Sequence, residues 1–419
     1  LDSTGFFHDI APGGDNGVSG IVVLLAAADL LGNLSRNGSI KAPDLKKNQK
    51  HIMFSFFHGE VWDYIGSSRM VYDMKNGHFP NCEVHDCQVP GFDLSNIAYY
   101  LELNQVGLVD ENSHFWAHRD PDSPGQAGKK TKEMFNTLSE VGASVNLSIK
   151  DPSESKLQPL PPASFQRFLK GNRSIPGLVI TDHKAAYTNK FYNSRFDDIE
   201  NVNVKHMAKL ATAVAKTLLK LAYNETKDDM AASEYRVQEL VNCSLLAANC
   251  PLFQKVVTKS SAKNLASYKV PLPRYIGPYN KATGPSPISV ITLYLMAYFT
   301  GISLNRTKCD SEKANMDFVY QANNGSCIGA NVYFSPAKSP AFLLETYDSV
   351  EYSTWTESRW GTDIRVRMFL VADPTQEAIT LAVGIILTLI SLVVTVFMYR
   401  KAEQLFTPGD TVLVINNDL

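Results

Sequence analysis

IMFSFFHGEVWDYIGSSRM, residues 52–70, changes period in its middle. Its first half is a continuous apolar run that predicts a strand over about 51–58, and after a Gly-Glu turn the spacing becomes helical over 66–75. A strand that hands over to a helix in this way is one unit of a sheet covered by helices. The same grammar recurs on both sides. Upstream, a Gly-rich turn holding Asp15 precedes an apolar helix over 18–31, and a polar loop, 33–50, follows it. Downstream come a second strand over 97–109, helices over 130–141 and 162–170, a short buried strand GLVIT at 177–181, and a long amphipathic helix over 203–223 with lysines on one face. Further helices reach residue 301, residues 305–341 read as loop, and 351–372 read as strands. The prediction is an α/β fold with a central sheet flanked by helices, continued by a mainly helical part, without an internal repeat.

The chain has 419 residues, 44% hydrophobic and 20% charged, enough for a large core, and its formal net charge of −2 offers no basic field for nucleic acid. Residues 378–399, AITLAVGIILTLISLVVTVFMY, carry no charge and are long enough for a bilayer-crossing helix. Arg400 and Lys401 follow the run while Asp373 and Glu377 precede it, so the positive-inside bias places the C-terminal tail in the cytosol and residues 1–377 outside it. Two further patterns agree with that orientation. Eight N-glycosylation sequons, at Asn33, Asn37, Asn146, Asn172, Asn224, Asn242, Asn305 and Asn324, all precede the apolar run. Six cysteines do too, and their grouping suggests the pairs Cys82 with Cys87, Cys243 with Cys250, and Cys309 with Cys327. A chain so oriented needs a signal peptide, none is visible, and the first residue is Leu1; the expectation is that an N-terminal part precedes it. The expected domains are a core over 1–205, a helical, disulfide-bearing extension over 206–345, membrane-proximal strands over 346–377, the span over 378–399 and a tail over 400–419.

Asp15 and Glu60 stand at places that, in zinc aminopeptidases of the two-metal kind, carry a metal-bridging Asp and a general-base Glu. The surrounding residues resemble the nicastrin family, glycosylated subunits of the γ-secretase complex. Asp63-Tyr64-Ile65-Gly66-Ser67 matches that family's DYIGS motif, and Ser353-Thr-Trp-Thr-Glu-Ser-Arg-Trp360 is similar to its membrane-proximal segment. The likeness runs from Leu1 to the apolar run. It implies an aminopeptidase-like core and a smaller lobe in the part expected to precede Leu1.

A two-zinc site needs about five ligands, drawn from His and carboxylates. Compared with the aminopeptidase pattern, this chain keeps Asp2-Ser3, Asp15 and Glu60, but the ligand after the base is Val61, and the two later ligands align with Asn104 and Asn193. An aliphatic side chain cannot bind a metal, and amide oxygens are weak zinc partners. No H-E-x-x-H occurs. The expectation is therefore no metal, no cofactor and no peptidase activity, against the alternative of an active cell-surface zinc aminopeptidase.

Two roles for Glu60 stay open. It can receive the free N-terminal amine of a substrate, with Asp15 and Tyr64 as the other vestigial-pocket candidates, or it can fix the DYIGS turn through hydrogen bonds, a purpose Asp63 and Tyr64 would share. The resemblance implies a non-catalytic subunit that helps assemble an intramembrane aspartyl protease and gates its type I substrates by size or free N-terminus. It further implies presenilin, anterior-pharynx-defective protein and presenilin enhancer as partners, stubs of the Notch and amyloid precursor protein type as substrates, and contact with membrane lipid. The implied location is the endoplasmic reticulum, Golgi, endosome and plasma membrane, with the large domain luminal or extracellular. Gly384 and the Ser and Thr of the span would allow close helix packing. A free-standing glycoprotein receptor is a third reading.

Overall fold

The computed structural model describes residues 1–5, 11–41, 43, 49–80, 91–153, 158–278, 284–305, 309, 316–356 and 373–406. The chain forms two compact units, 1–357 and 358–419. In the first, a four-stranded mixed sheet has the order β1 (Tyr100–Leu103), β4 (Gly177–Thr181), β2 (Phe115–His118), β3 (Ile149–Lys150). β4 runs parallel to β1 and antiparallel to β2, and β2 is parallel to β3.

All five residues of β4 are buried, which is why GLVIT reads as an unbroken apolar run and not an alternating one. Leu178 and Ile180 join the core built by α1 (Gly20–Arg36), α3 (Gly125–Ser144) and α5 (Val204–Tyr223), while Val179 points to the opposite face and packs with α2 (Ile65–Lys75) and α4 (Phe165–Gly171). Helices thus cover both faces of the sheet, as the periodicity predicted. In α5 the apolar stripe Met207, Leu210, Ala211 and Val214 is buried, and the Asn203 side chain accepts the His206 N–H at the helix start.

Residues 51–57 differ from the expectation. Ile52, Phe54 and Phe56 pack on the first core and Phe57 on the second, so side chains alternate as in a strand, yet no ladder partner exists among the described residues. The predicted strand over 97–109 shortens to β1, because residues after Leu103 turn to make the hydrogen bonds described below. Helices α6 (Glu234–Leu245), α7 (Pro251–Val256), α8 (Lys259–Leu265) and α9 (Pro287–Thr300) extend the helical part. The stretch read as loop over 305–341 contains two short strands: β5 (Ile302–Leu304), β7 (Cys327–Ala330) and β6 (Phe318–Gln321) form an antiparallel sheet in that order. The short helix α10 (Pro340–Leu343) follows. Residues 351–356 are not strand, and the rest of the predicted strands at 357–372 lie outside the described residues.

Disulfides join Cys243 to Cys250 and Cys309 to Cys327; Cys82 and Cys87 lie outside the described residues. Six of the sequon asparagines are exposed, with Asn172 and Asn242 half-buried. Among the described residues two helices are long and apolar enough to cross a membrane. The first includes α1 and is 61% buried inside its unit, as a core helix is; the second, in α11 (Pro374–Phe406), has a mean hydropathy of 2.7 and no burial. A helix that is apolar all round and unburied among the described residues has the character of a lipid-facing span.

Candidate functional site

The DYIGS residues form a tight corner between the extended chain at 51–58 and α2. Asp63 and Tyr64 both adopt left-handed backbone, φ 65° and 57°, which costs a non-glycine residue about 1–2 kcal/mol. The hydrogen bonds from the Tyr64 N–H to the Glu60 carbonyl and from the Ile65 N–H to the Gly59 carbonyl hold them there. Gly66 then lets α2 start directly against the chain: a Cβ at this position would lie 2.5 Å from the His58 carbonyl oxygen.

Glu60 closes the corner. Its Oε1 accepts the Ser67 N–H at 2.9 Å, and its Oε2 accepts the hydroxyls of Ser67, at 2.7 Å, and Ser164, at 2.5 Å. Ser164 also gives its N–H to Glu102 Oε1 at 2.9 Å, and Phe165 gives its N–H to Glu102 Oε2 at 2.8 Å, so the two carboxylates share the start of α4. Burial raises both carboxyls, Glu102 to about 7, with backbone N–H groups opposing the rise. Tyr64 is half-buried beside them, and burial, then the charges of Glu102 and Glu60, push its hydroxyl to about 12. Ser164 and Glu102 were not legible as site residues; their link to Glu60 spans up to 104 positions of sequence.

Asp15 belongs to a second cluster. It is fully buried, and its Oδ1 accepts the Gly107 N–H at 2.7 Å. Asp182 accepts the Leu108 N–H at 3.2 Å, and Asp197 accepts the N–H groups of Asp15 and Asn16 at 2.9 and 3.0 Å. Burial, reinforced by the Asp182 carboxylate, drives the Asp15 carboxyl well above the usual range. Asp182 and Asp197 went unnoticed in the sequence, where nothing marks an acid after a strand as a partner of another 167 or 182 residues away. No hydrogen bond or ion pair among the described residues joins Asp15 to Glu60. Asp2 lies between the clusters, accepting the N–H groups of Glu60 and Val61 at 3.4 and 3.2 Å.

Of the three residues expected at altered ligand positions, two make hydrogen bonds within the fold. Val61 is exposed. The Asn104 side chain donates to the Pro162 carbonyl at 2.9 Å, and the Asn193 side chain accepts from Asn16 at 2.8 Å. Among the described residues no group of three His, Cys, Asp or Glu side chains is placed to hold a metal. These residues do not fit zinc. What the corner brings together chemically is two carboxyls, two serine hydroxyls and a tyrosine.

A pH dependence follows from Asp15. Its carboxyl, 3.8 in an open chain, stays protonated in the fold to much higher pH, so the folded state holds more protons and stability falls as pH rises above about 4. Asp15→Asn is neutral in both states and keeps an acceptor for Gly107. The gap between urea midpoints at about pH 5 and about pH 8 is expected to narrow in this variant. An unchanged gap would mean that Asp15 is ionised in the fold.

The family model for the nicastrin large lobe matches residues 1–250. The chain belongs to the nicastrin family. Nicastrin of Homo sapiens is 36% identical over 97% of this chain and 59% of its own length, and that of Arabidopsis thaliana is 26% identical over 93% of this chain and 59% of its own. The chain therefore spans about 59% of the length of these curated relatives. A crystal structure of the gamma-secretase component nicastrin superposes with a TM-score of 0.65 at 21% identity, over 86% of this chain and 62% of that one. The α/β architecture described above is thus the nicastrin fold.

Proposed function

We propose that this chain acts as a non-catalytic subunit of a γ-secretase-type intramembrane protease complex. In this reading it supports assembly and gates type I membrane-protein stubs by their size or free N-terminus, and the chemistry belongs to a presenilin-type aspartyl partner. Family membership supports the general role. The single observation that argues for a non-catalytic chain is the state of the altered ligand positions: Val61 faces outward, and Asn104 and Asn193 are spent on internal hydrogen bonds.

The corner at Glu60 and Tyr64 is the place at which an ammonium would be received, since two carboxyls and two hydroxyls converge there, and pairing with the cation would favour the charged carboxylate against the effect of burial. Gating by bulk asks only for a large, rigid outer unit and no particular side chain. The unburied apolar helix supplies the membrane anchor, with the large unit on the luminal or extracellular side and the basic residues Arg400 and Lys401 on the cytosolic side.

Purification from mild detergent tests this. The chain should co-purify with an aspartyl protease of presenilin type, together with anterior-pharynx-defective and presenilin-enhancer subunits. Extending a substrate stub with a folded domain should suppress its cleavage, whereas acetylating its N-terminus should do so only if the amine is read. Recovery of the chain alone, with cleavage indifferent to both changes, would count against the proposal.

A further inference from the structure

We propose that Arg167 is a latch that seats residues 349–355 on the DYIGS corner. Arg167 lies on α4, and its guanidinium reaches three places at once. One nitrogen donates to the Asp63 carboxylate and to the Asp63 carbonyl, at 3.3 Å for the latter; another donates to the Glu351 carbonyl at 3.2 Å. The guanidinium also lies over the Tyr64 ring, 5.3 Å from its centre. A planar fork with five donors can serve carboxylate, carbonyls and ring face together, which an ammonium cannot.

The latched segment is fixed along its length by aromatic contacts with the same corner. Tyr352 meets Tyr72 of α2 edge to face at 6.0 Å, and Trp355 lies 5.7 Å from Trp62, whose indole N–H is bound to the Ile276 carbonyl. Ser353 is buried, and its carbonyl accepts the Ser339 hydroxyl at 2.6 Å. The Lys170–Glu351 pair is open to solvent on both sides and adds little.

The left-handed pair Asp63-Tyr64 therefore has a purpose beyond turning the chain. It presents the Asp63 carbonyl, the Asp63 carboxylate and the Tyr64 ring to one guanidinium. The latch thus holds residues 349–355 against the corner that Glu60 closes.

Hydrogen–deuterium exchange on the chain in its detergent-solubilised complex reads the latch. The amides of Ser349, Glu351, Tyr352 and Trp355 are hydrogen-bonded in the seated segment. In Arg167→Ala their exchange should rise about tenfold or more, the loss of a charge-assisted bond, while β4 amides stay as protected as before. Arg167→Lys should fall between. Should Arg167→Ala fail to fold, Asp63→Asn decides: asparagine tolerates left-handed backbone, so only the charge is lost. Faster exchange at 349–355 in that variant supports the latch. Unchanged exchange there, or a rise shared equally by β4, overturns it.

Discussion

Gly66→Ala should destabilise the unit formed by residues 1–357 by about 3 kcal/mol, although alanine is the better helix former. On propensity alone this exchange inside α2 would add about 1 kcal/mol of stability. The geometry reverses the sign. The new methyl would lie 2.5 Å from the His58 carbonyl oxygen, 3.0 Å from the His58 nitrogen and 3.2 Å from Glu60 Oε1. Two of these are backbone atoms of the chain entering the corner, so they cannot swing aside as a side chain would. Relief requires α2 to back away, and that breaks the Ser67–Glu60 bonds. A melting midpoint equal to or above that of the native chain would show that the corner is looser than described.

Glu60 should divide cleanly by substituent. In Glu60→Ala the Ser67 N–H and the Ser67 and Ser164 hydroxyls lose their acceptor, at an expected cost of about 3 kcal/mol. In Glu60→Gln the amide oxygen can still take the Ser67 N–H, and the amide NH2 can donate to hydroxyls that rotate to receive it. Because burial already disfavours the charged form of Glu60, losing that charge should change stability by less than about 1 kcal/mol. Urea unfolding of the two variants checks this. Equal stability of Glu60→Ala and native chain would mean that the side chain is free of the corner.

The sequence announced its layers well wherever a local period carried the information. β4 and α5 match the residues that their patterns marked, because five consecutive buried positions and a stripe at helical spacing are properties of the segment itself. Residues 51–57 were expected to be a strand; they are extended, but pairing is a property of neighbours, and no ladder partner is present among the described residues. The site was half legible. Val61 beside Glu60 is visible by eye, and so is the DYIGS string. Ser164, Glu102 and Arg167 are not, because each meets the corner across long sequence separations. Asp15 shows the same limit from the other side: its position was marked, but the Asp182 carboxylate that helps keep it protonated was not.

Both open roles of Glu60 can hold together. A carboxyl tied to Ser67 and Ser164 is held in one place, and a held carboxyl is a better receptor than a free one, because its ordering has already been met by the fold. Two-zinc chemistry of the aminopeptidase kind asks for His and carboxylate ligands, which the side chains of Val61, Asn104 and Asn193 are not.

The zinc content of the purified chain tests this account most directly. Elemental analysis after purification without chelator should find no stoichiometric zinc in this chain. One or two zinc ions per chain would contradict the account, the more so if they were lost on substituting Asp15.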